Sequence, residues 1–319
     1  MKIVVLDGHT LNPGDLDWSA LEPFGDHAVF PRTPPDQVVA RAAGCDAVLT
    51  NKTRLGKEQI EQLPALRYIG VLATGYDVVD VQAAKAAGIV VTNVPVYGTE
   101  SVAQMTFALL LELCNRVAAH AEAARAGRWY ESGEFAYYEH PLIELSGLTL
   151  GIVGYGSIGQ AVARIGAAFG MQIMAAEERV AIASTPELRV PRVSLDELFS
   201  SADVLTLHTP LTTRTTYLVD AERLSRMKPS ALLINTARGA LIDEDALLRA
   251  LSSGALAGAA LDVLATEPAP PDHPLLRLPN CIVTPHIAWA TRAARSRLLR
   301  AAIENLRAFA AGAPRNVVG

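Results

Sequence analysis

The sequence predicts an α/β protein built from two doubly wound parallel-sheet domains, and three observations carry that expectation. Short β-branched, apolar runs alternate with Ala-rich helical stretches along nearly the whole chain. The runs are apolar at successive rather than alternate positions, as strands covered by helices on both faces must be. They also form two series separated by a long helical stretch, and 319 residues suit two domains of ordinary size.

The first series contains "KIVVLD" (2–7), "AVLTN" (47–51), "LRYIGVL" (66–72) and "IVVTNV" (89–94), with helical segments such as "DVVDVQAAKAAG" between them. A single helical stretch over 99–126 then leads into an aromatic-rich segment, "GRWYESGEFAYYEHPLIELSG". The second series contains "LTLGIVG" (148–154), "MQIMAA" (171–176), "DVLTLH" (203–208), "ALLINTA" (231–237), "GAALDV" (258–263) and "CIVTP" (281–285). A last helical stretch, about 290–312, has no strand after it and is free to pack back on the first domain.

Composition removes several function classes. The net charge of −5 comes without any Lys/Arg run, which argues against nucleic acid or an anionic membrane as partner. Cys45, Cys114 and Cys281 stand far apart and no CxxC or HExxH occurs, so neither a disulfide framework nor a metal site is expected. The N-terminal apolar run is too short for a signal peptide. The most apolar helical stretch, "MTFALLLELCNRV", is interrupted by Glu112 and too short to span a bilayer. A cytoplasmic, soluble protein is the expectation.

The strongest local signal is "LGIVGYGSIGQAVARIGAAFG". Gly154, Gly156 and Gly159 form G-x-G-x-x-G between an apolar strand and an amphipathic helix. The first glycine permits the tight turn, the second lets a pyrophosphate approach the backbone, and the third lets helix and strand pack closely. Phosphates then meet the N–H groups and positive dipole end of the helix. The next strand ends in Glu177, twenty-three residues after Gly154. An acid there accepts hydrogen bonds from the adenosine ribose hydroxyls and repels a 2′-phosphate, which favours NAD over NADP. Glu178 is the neighbouring alternative, and Arg179 works against the preference.

In open α/β sheets ligands bind beyond the carboxyl ends of the strands. There the second series carries Arg238 after "ALLINTA", Asp262 and Glu267 after "GAALDV", and His286 after "CIVTP". Reduction of a 2-keto acid by NADH needs a fixed cation for the carboxylate and an acid for the carbonyl oxygen. The planar fork of arginine suits the first task and histidine the second. A carboxylate against the imidazolium favours its charged form and fixes its tautomer; Glu267 is the candidate. Each residue also has a plainer reading: a surface ion pair for Arg238, a turn before Pro268 for Glu267, a structural role for the histidine. His208 and Thr209 follow a strand too, so position alone does not select His286.

Together "GYGSIGQAVA", "LINTARGALIDEDALLRAL", "GAALDVLATEP", "LPNCIVTPHIAWAT" and the upstream "LATGYDVVDVQAAKAAGIVVTNVPVYGTESVAQMTFALLLEL" resemble the D-isomer-specific 2-hydroxyacid dehydrogenases, over nearly the whole chain. The resemblance implies a flavodoxin-like substrate domain, 1–100 plus 288–319, with a Rossmann NAD-binding domain, 101–287, inserted. It implies that Arg238 binds the substrate carboxylate and carbonyl, that Glu267 pairs with His286, and that His286 is the general acid/base. Backbone N–H groups of Ala73, Thr74 and Gly75 would hold the carboxylate as an anion nest. Cofactor contacts would come from Thr106, Gly154, Gly156, Ser157, Ile158, Gly159 and Glu177. Thr209, Pro210 and Thr215 would line the adenosine side. Thr236, Ala237, Arg238, Asp262 and His286 would complete the set, with Asp262 facing the nicotinamide side.

Within the family, "EFAYYEHPLIELSG" and "PHIAWAT" look like the glycerate dehydrogenase, or hydroxypyruvate reductase, branch. Trp289, one helical turn beyond His286, would then border the substrate pocket or simply fill core, and Asn51 of "NKT" would border the substrate side. Trp129, Tyr130, Phe135, Tyr137 and Tyr138 would lie in the contact region of a homodimer. The expected reaction is NADH-dependent reduction of hydroxypyruvate or glyoxylate to D-glycerate or glycolate. The alternatives are a dehydrogenase of the same fold for another 2-keto acid and a non-enzymatic dinucleotide-sensing corepressor.

Overall fold

The computed structural model describes residues 1–176 and 189–319. The chain divides into two compact units, one formed by Met1–Gly98 with Trp289–Gly319 and the other by Thr99–Ala288.

The first unit holds a parallel sheet of β1 (Ile3–Val5), β2 (His27–Val29), β3 (Ala47–Thr50), β4 (Tyr68–Val71) and β5 (Val90–Thr92), in the order β2-β1-β3-β4-β5. This is the flavodoxin-like order. Alternate side chains supply two core layers. Val4, Val48, Ile69 and Val91 face one side. Ile3, Val5, Leu49 and Tyr68 face the other, where Leu298, Ala302 and Leu306 of the Arg292–Ala310 helix cover them. The last helix is therefore a layer of the unit that the N-terminal chain begins. Arg295 on that helix is buried and ties it down. Its guanidinium meets both Asp15 oxygens at 2.6 and 2.7 Å and the Leu11 and Ala290 carbonyls at 3.0 and 2.9 Å. Those bonds hold the Asp15 carboxyl below the usual carboxylate range.

The second unit holds β6 (Thr149–Val153), β7 (Gln172–Ala176), β8 (Arg192–Val193), β9 (Val204–Leu207), β10 (Leu232–Asn235), β11 (Gly258–Leu261) and β12 (Cys281–Val283). Their order, β12-β11-β10-β9-β6-β7-β8, with every pairing parallel, is the Rossmann order extended by one strand. The Thr99–Asn115 helix lays Ala103, Phe107, Leu110 and Cys114 on one face of the sheet, against Ile152, Val204 and Ile234. The other face packs Leu205, Leu207, Leu233 and Leu261 against Phe199, Leu224 and Leu247.

Three features depart from the sequence reading. The helical stretch at 99–126 is two helices, Thr99–Asn115 and Val117–Arg125, bent by 53° because Arg116 adopts a left-handed φ of 46°. β2 and β8 had no counterpart among the apolar runs, since both are short edge strands with half-exposed side chains. The last helix begins at Arg292, capped by Thr291, so Trp289 lies in a turn and not one helical turn along from His286. Among the described residues no single helix is long and apolar enough to cross a membrane.

Leu298 is fully buried in the last helix. Leu298→Ala should destabilise the protein by about 2–5 kcal/mol, as truncations of buried leucine do. Urea unfolding checks this; a loss below about 0.5 kcal/mol, the surface-substitution range, would contradict the packing of that helix on the N-terminal sheet.

Candidate active site

The glycine turn joins β6 to the Ser157–Ala168 helix in the second unit. Gly154 has φ 93°, and a Cβ there would stand 2.5 Å from the His208 carbonyl carbon, so the end of β9 lies against the turn. A Cβ at Gly159 would come within 2.2 Å of the Gly154 oxygen. Gly156 is different: a Cβ there would meet nothing within 4 Å. The open space lies over a helix N-terminus with no side-chain cap. Ser157 and Ile158 form the first turn of that helix. A pyrophosphate fits these residues, because the backbone is exposed only where it must approach.

Thr209, Pro210 and Thr215 share the loop after β9, where the Thr215 hydroxyl donates to the Pro210 carbonyl at 2.7 Å and accepts from the Thr212 N–H at 2.7 Å. Thr215 thus shapes that loop. Thr106 is fully buried; its hydroxyl donates to the Val102 carbonyl at 2.9 Å and lies 3.2 Å from the Thr236 hydroxyl. Glu177, with Glu178 and Arg179, lies outside the described residues.

At the end of β10 the Asn235 side chain pins the turn that presents Arg238. Its oxygen accepts from the Ala237 N–H at 3.0 Å and its amide donates to the Arg238 carbonyl at 2.8 Å. Arg238 is half-buried and, among the described residues, makes no ion pair. Its Nη1 donates to the Ala237 carbonyl at 2.7 Å, and its charge is left unneutralised for an incoming carboxylate.

His286 has a left-handed φ of 55°, uncommon for a residue with a side chain. The turn is held from below by Asp262, itself buried. Asp262 Oδ1 accepts from the Thr284 hydroxyl at 2.6 Å and the Ile287 N–H at 2.9 Å, and Oδ2 from the Ala288 N–H at 2.8 Å. Burial pushes the Asp262 carboxyl up, opposed by the Thr284 hydroxyl, those two N–H groups and the His286 charge. The structure therefore directs Asp262 inward, on protein donors, as the residue that shapes the histidine turn. His286 Nδ1 then lies 2.7 Å from Glu267 Oε2. Glu267 Oε1 accepts from the Leu264 N–H at 3.1 Å. With the carboxylate as acceptor, Nδ1 carries the proton and Nε2 is the nitrogen left for a substrate.

The same comparison separates the two histidines that follow strands. Both His208 ring nitrogens are shut off from solvent and meet no hydrogen-bond partner among the described residues. Burial pushes this imidazole down to about 3, so it is neutral at pH 7. His286 keeps a quarter of its side chain exposed and has a carboxylate partner.

In the first unit, Asn51 is buried and its amide donates to the Leu72 carbonyl at 2.5 Å. Asp7 accepts from the Asn51, Lys52 and Thr53 N–H groups at 2.8, 2.5 and 2.7 Å and so shapes that loop. Ala73, Thr74 and Gly75 follow β4, anchored by the Thr74 hydroxyl on the Val94 carbonyl at 2.9 Å. Trp289 packs on the core of this unit, edge to face with Tyr97 at 6.2 Å between ring centroids. That is its core-filling alternative. Asn235, Thr284 and Asp7 were not singled out in the sequence; an Asn at a strand end before a turn is the one signal available, since its side chain bonds the backbone two residues on.

Residues 107–288 match the model of the NAD binding domain of D-isomer specific 2-hydroxyacid dehydrogenases. The chain is 47% identical, over its full length and 99% of the relative's, to a hydroxypyruvate reductase of Blautia hydrogenotrophica. It is 39% identical, over 99% of its length and 98% of the relative's, to a glycerate dehydrogenase of Methylorubrum extorquens. The solved NADPH-dependent glyoxylate/hydroxypyruvate reductase of Sinorhizobium meliloti superposes with a TM-score of 0.84 at 32% identity, covering 100% of this chain and 96% of that one. The chain belongs to the D-isomer specific 2-hydroxyacid dehydrogenase family, and it is an oxidoreductase acting on the CH–OH group. Its similarity lies with the glycerate dehydrogenase and hydroxypyruvate reductase branch.

Gly156 and Gly159 make a discriminating pair. Gly159→Ala should cost about 1–3 kcal/mol of stability through overpacking. Gly156→Ala should stay within about 0.5 kcal/mol of the parent yet weaken dinucleotide binding. Thermal melts and NADH fluorescence titrations read both; unchanged NADH affinity in Gly156→Ala would contradict the cradle.

Proposed function

We propose that the protein is an NADH-dependent reductase of hydroxypyruvate and glyoxylate, forming D-glycerate and glycolate. The observation that carries the reading is the 2.7 Å contact of His286 Nδ1 with Glu267, which leaves Nε2 as a proton donor. The names and extent of the relatives supply the substrate class.

When bound, the nicotinamide cofactor supplies the hydride. The Gly154–Gly156–Gly159 turn, with the first turn of the following helix, would hold its pyrophosphate. Arg238 binds the substrate carboxylate and polarises the carbonyl. His286 Nε2 gives a proton to the carbonyl oxygen, and Glu267 stabilises the imidazolium until it does so. In the oxidative direction the neutral Nε2 accepts the hydroxyl proton. Reduction thus draws on the protonated ring and oxidation on the neutral one. The preference for NAD over NADP rests on the sequence alone, on the acid Glu177 twenty-three residues after Gly154.

The exposed segment after the Val117–Arg125 helix supports a homodimer. Tyr130 and Phe135 are 93% and 96% exposed, and Trp129, Tyr138 and Leu142 are more than half exposed. Aromatic clusters of this kind are what interface cores are made of, and we propose a second copy of the chain as their cover. Phe135→Glu together with Tyr130→Glu should then lower the mass seen by light scattering to that of one chain; a parent that is already monomeric would contradict the dimer.

His286→Gln should reduce turnover by about 10²–10⁴-fold, the usual contribution of a general acid, with NADH affinity retained. Absorbance decay at 340 nm with hydroxypyruvate and glyoxylate, using NADH and NADPH in parallel, measures this. Near-parental turnover in the variant, or NADH binding without turnover of any 2-keto acid in the parent, would contradict the proposal.

A further inference from the structure

Glu244 begins the Glu244–Ser253 helix and lies within "LIDEDALL", a part of the motif that the reaction leaves unused. Its carboxylate does not face solvent as a first-turn acid ordinarily would. Oε1 accepts from the Ala265 N–H at 2.7 Å and Oε2 lies 3.3 Å from His273 Nε2. One residue earlier, the Leu264 N–H donates to Glu267 at 3.1 Å. Two successive N–H groups of one loop thus bond two different carboxylates, one in the reactive pair and one outside it.

The Leu264–Ala265 peptide is also the surface on which the arginine turn rests. A Cβ at Gly239 would stand 1.9 Å from the Leu264 carbonyl carbon and 2.2 Å from the Ala265 nitrogen. Gly239 follows Arg238 directly. The peptide is therefore contacted by the turn that presents Arg238 and by Glu244, and its Leu264 residue anchors the carboxylate that orients His286. Its orientation depends on whatever fixes the Ala265 N–H.

We propose that Glu244 is a positioning residue for the catalytic set: by holding the Ala265 N–H it fixes the Leu264–Ala265 peptide that backs the Arg238 turn and, through Leu264, the adjoining peptide whose N–H seats Glu267. The proposal rests on the assignment of His286 as proton donor. The groups facing His286 are Glu267 and Asp262. Those near Glu244 are His273 and the Cys281 thiol, which burial and the Glu244 charge push up to about 12 and so keep protonated. With Glu244 removed, Glu267 loses its fixed seat and His286 Nδ1 loses the partner that orients its ring.

The test uses the full chain with Glu244→Ala, Glu244→Asp and Glu244→Gln. Glu244→Asp keeps the charge but withdraws the oxygen by one methylene, and reports in its own right if the Ala variant does not fold. Glu244→Gln keeps an acceptor oxygen for the Ala265 N–H. The Ala and Asp variants should lose kcat roughly ten-fold, the lower end of what an outer partner is worth, with NADH affinity unchanged. Glu244→Gln should restore most of that loss. The nitrogen shifts of the His286 ring, read by NMR without substrate, should show Nδ1 losing its fixed hydrogen-bond partner in the Ala and Asp variants and keeping it in Glu244→Gln. That reading decides the proposal even if the parent turns over no 2-keto acid, an outcome that would overturn the functional assignment alone. A lowered melting temperature with parental ring shifts and parental kcat would overturn the positioning role. So would a Glu244→Gln as impaired as Glu244→Ala.

Discussion

Asp262 is the buried charge around which the reactive side of the nucleotide-binding unit is arranged. A carboxylate out of contact with water is costly unless donors surround it. Here the donors are the Thr284 hydroxyl and the N–H groups of Ile287 and Ala288. Satisfying them bends the chain after β12 into a turn whose apex, His286, takes a left-handed backbone. The cost of that conformation is met by the bonds beneath it, and the benefit is direction: the ring reaches Glu267. The histidine's position is thus set by the backbone it stands on and by a carboxylate it does not itself share.

The reactive groups come from three successive loops, after β10, β11 and β12, and each loop leans on the next. Asn235 closes the Arg238 turn, Gly239 lets that turn touch the Leu264–Ala265 peptide, and Leu264 anchors Glu267. Neighbouring parallel strands ending at one level make this possible, because their loops emerge side by side at the carboxyl edge of the sheet. The chemistry needs an arginine and a protonated histidine kept apart from one another's charge yet turned to one substrate. Braced loops give that geometry more rigidity than long side chains on the surface would.

Much of this was legible in the residues. Interior strands of a doubly covered parallel sheet read as unbroken apolar runs, so β6, β9, β10 and β11 announce themselves. The three glycines announce the turn because a Cβ at Gly154 or Gly159 would strike backbone, while Gly156 leaves open the space over the helix N-terminus. The edge strands β2 and β8 did not stand out, since a two- or three-residue, half-exposed strand has no pattern to show. Arg116 breaks its helix with no Gly or Pro to mark the place. Two histidines at strand ends could be ranked only once burial was known, for His208 and His286 look alike as letters. Asp262 reads as a strand-end acid, and only the fold shows its oxygens turned to the following turn.

The pairing of His286 with Glu267 is the central claim, and the turnover of hydroxypyruvate by Glu267→Gln against the parent tests it most directly. Without the carboxylate at Nδ1, kcat should fall with NADH binding intact. A variant whose kcat equals that of the parent would contradict the account, because the contact would then be structural and the proton would come from elsewhere.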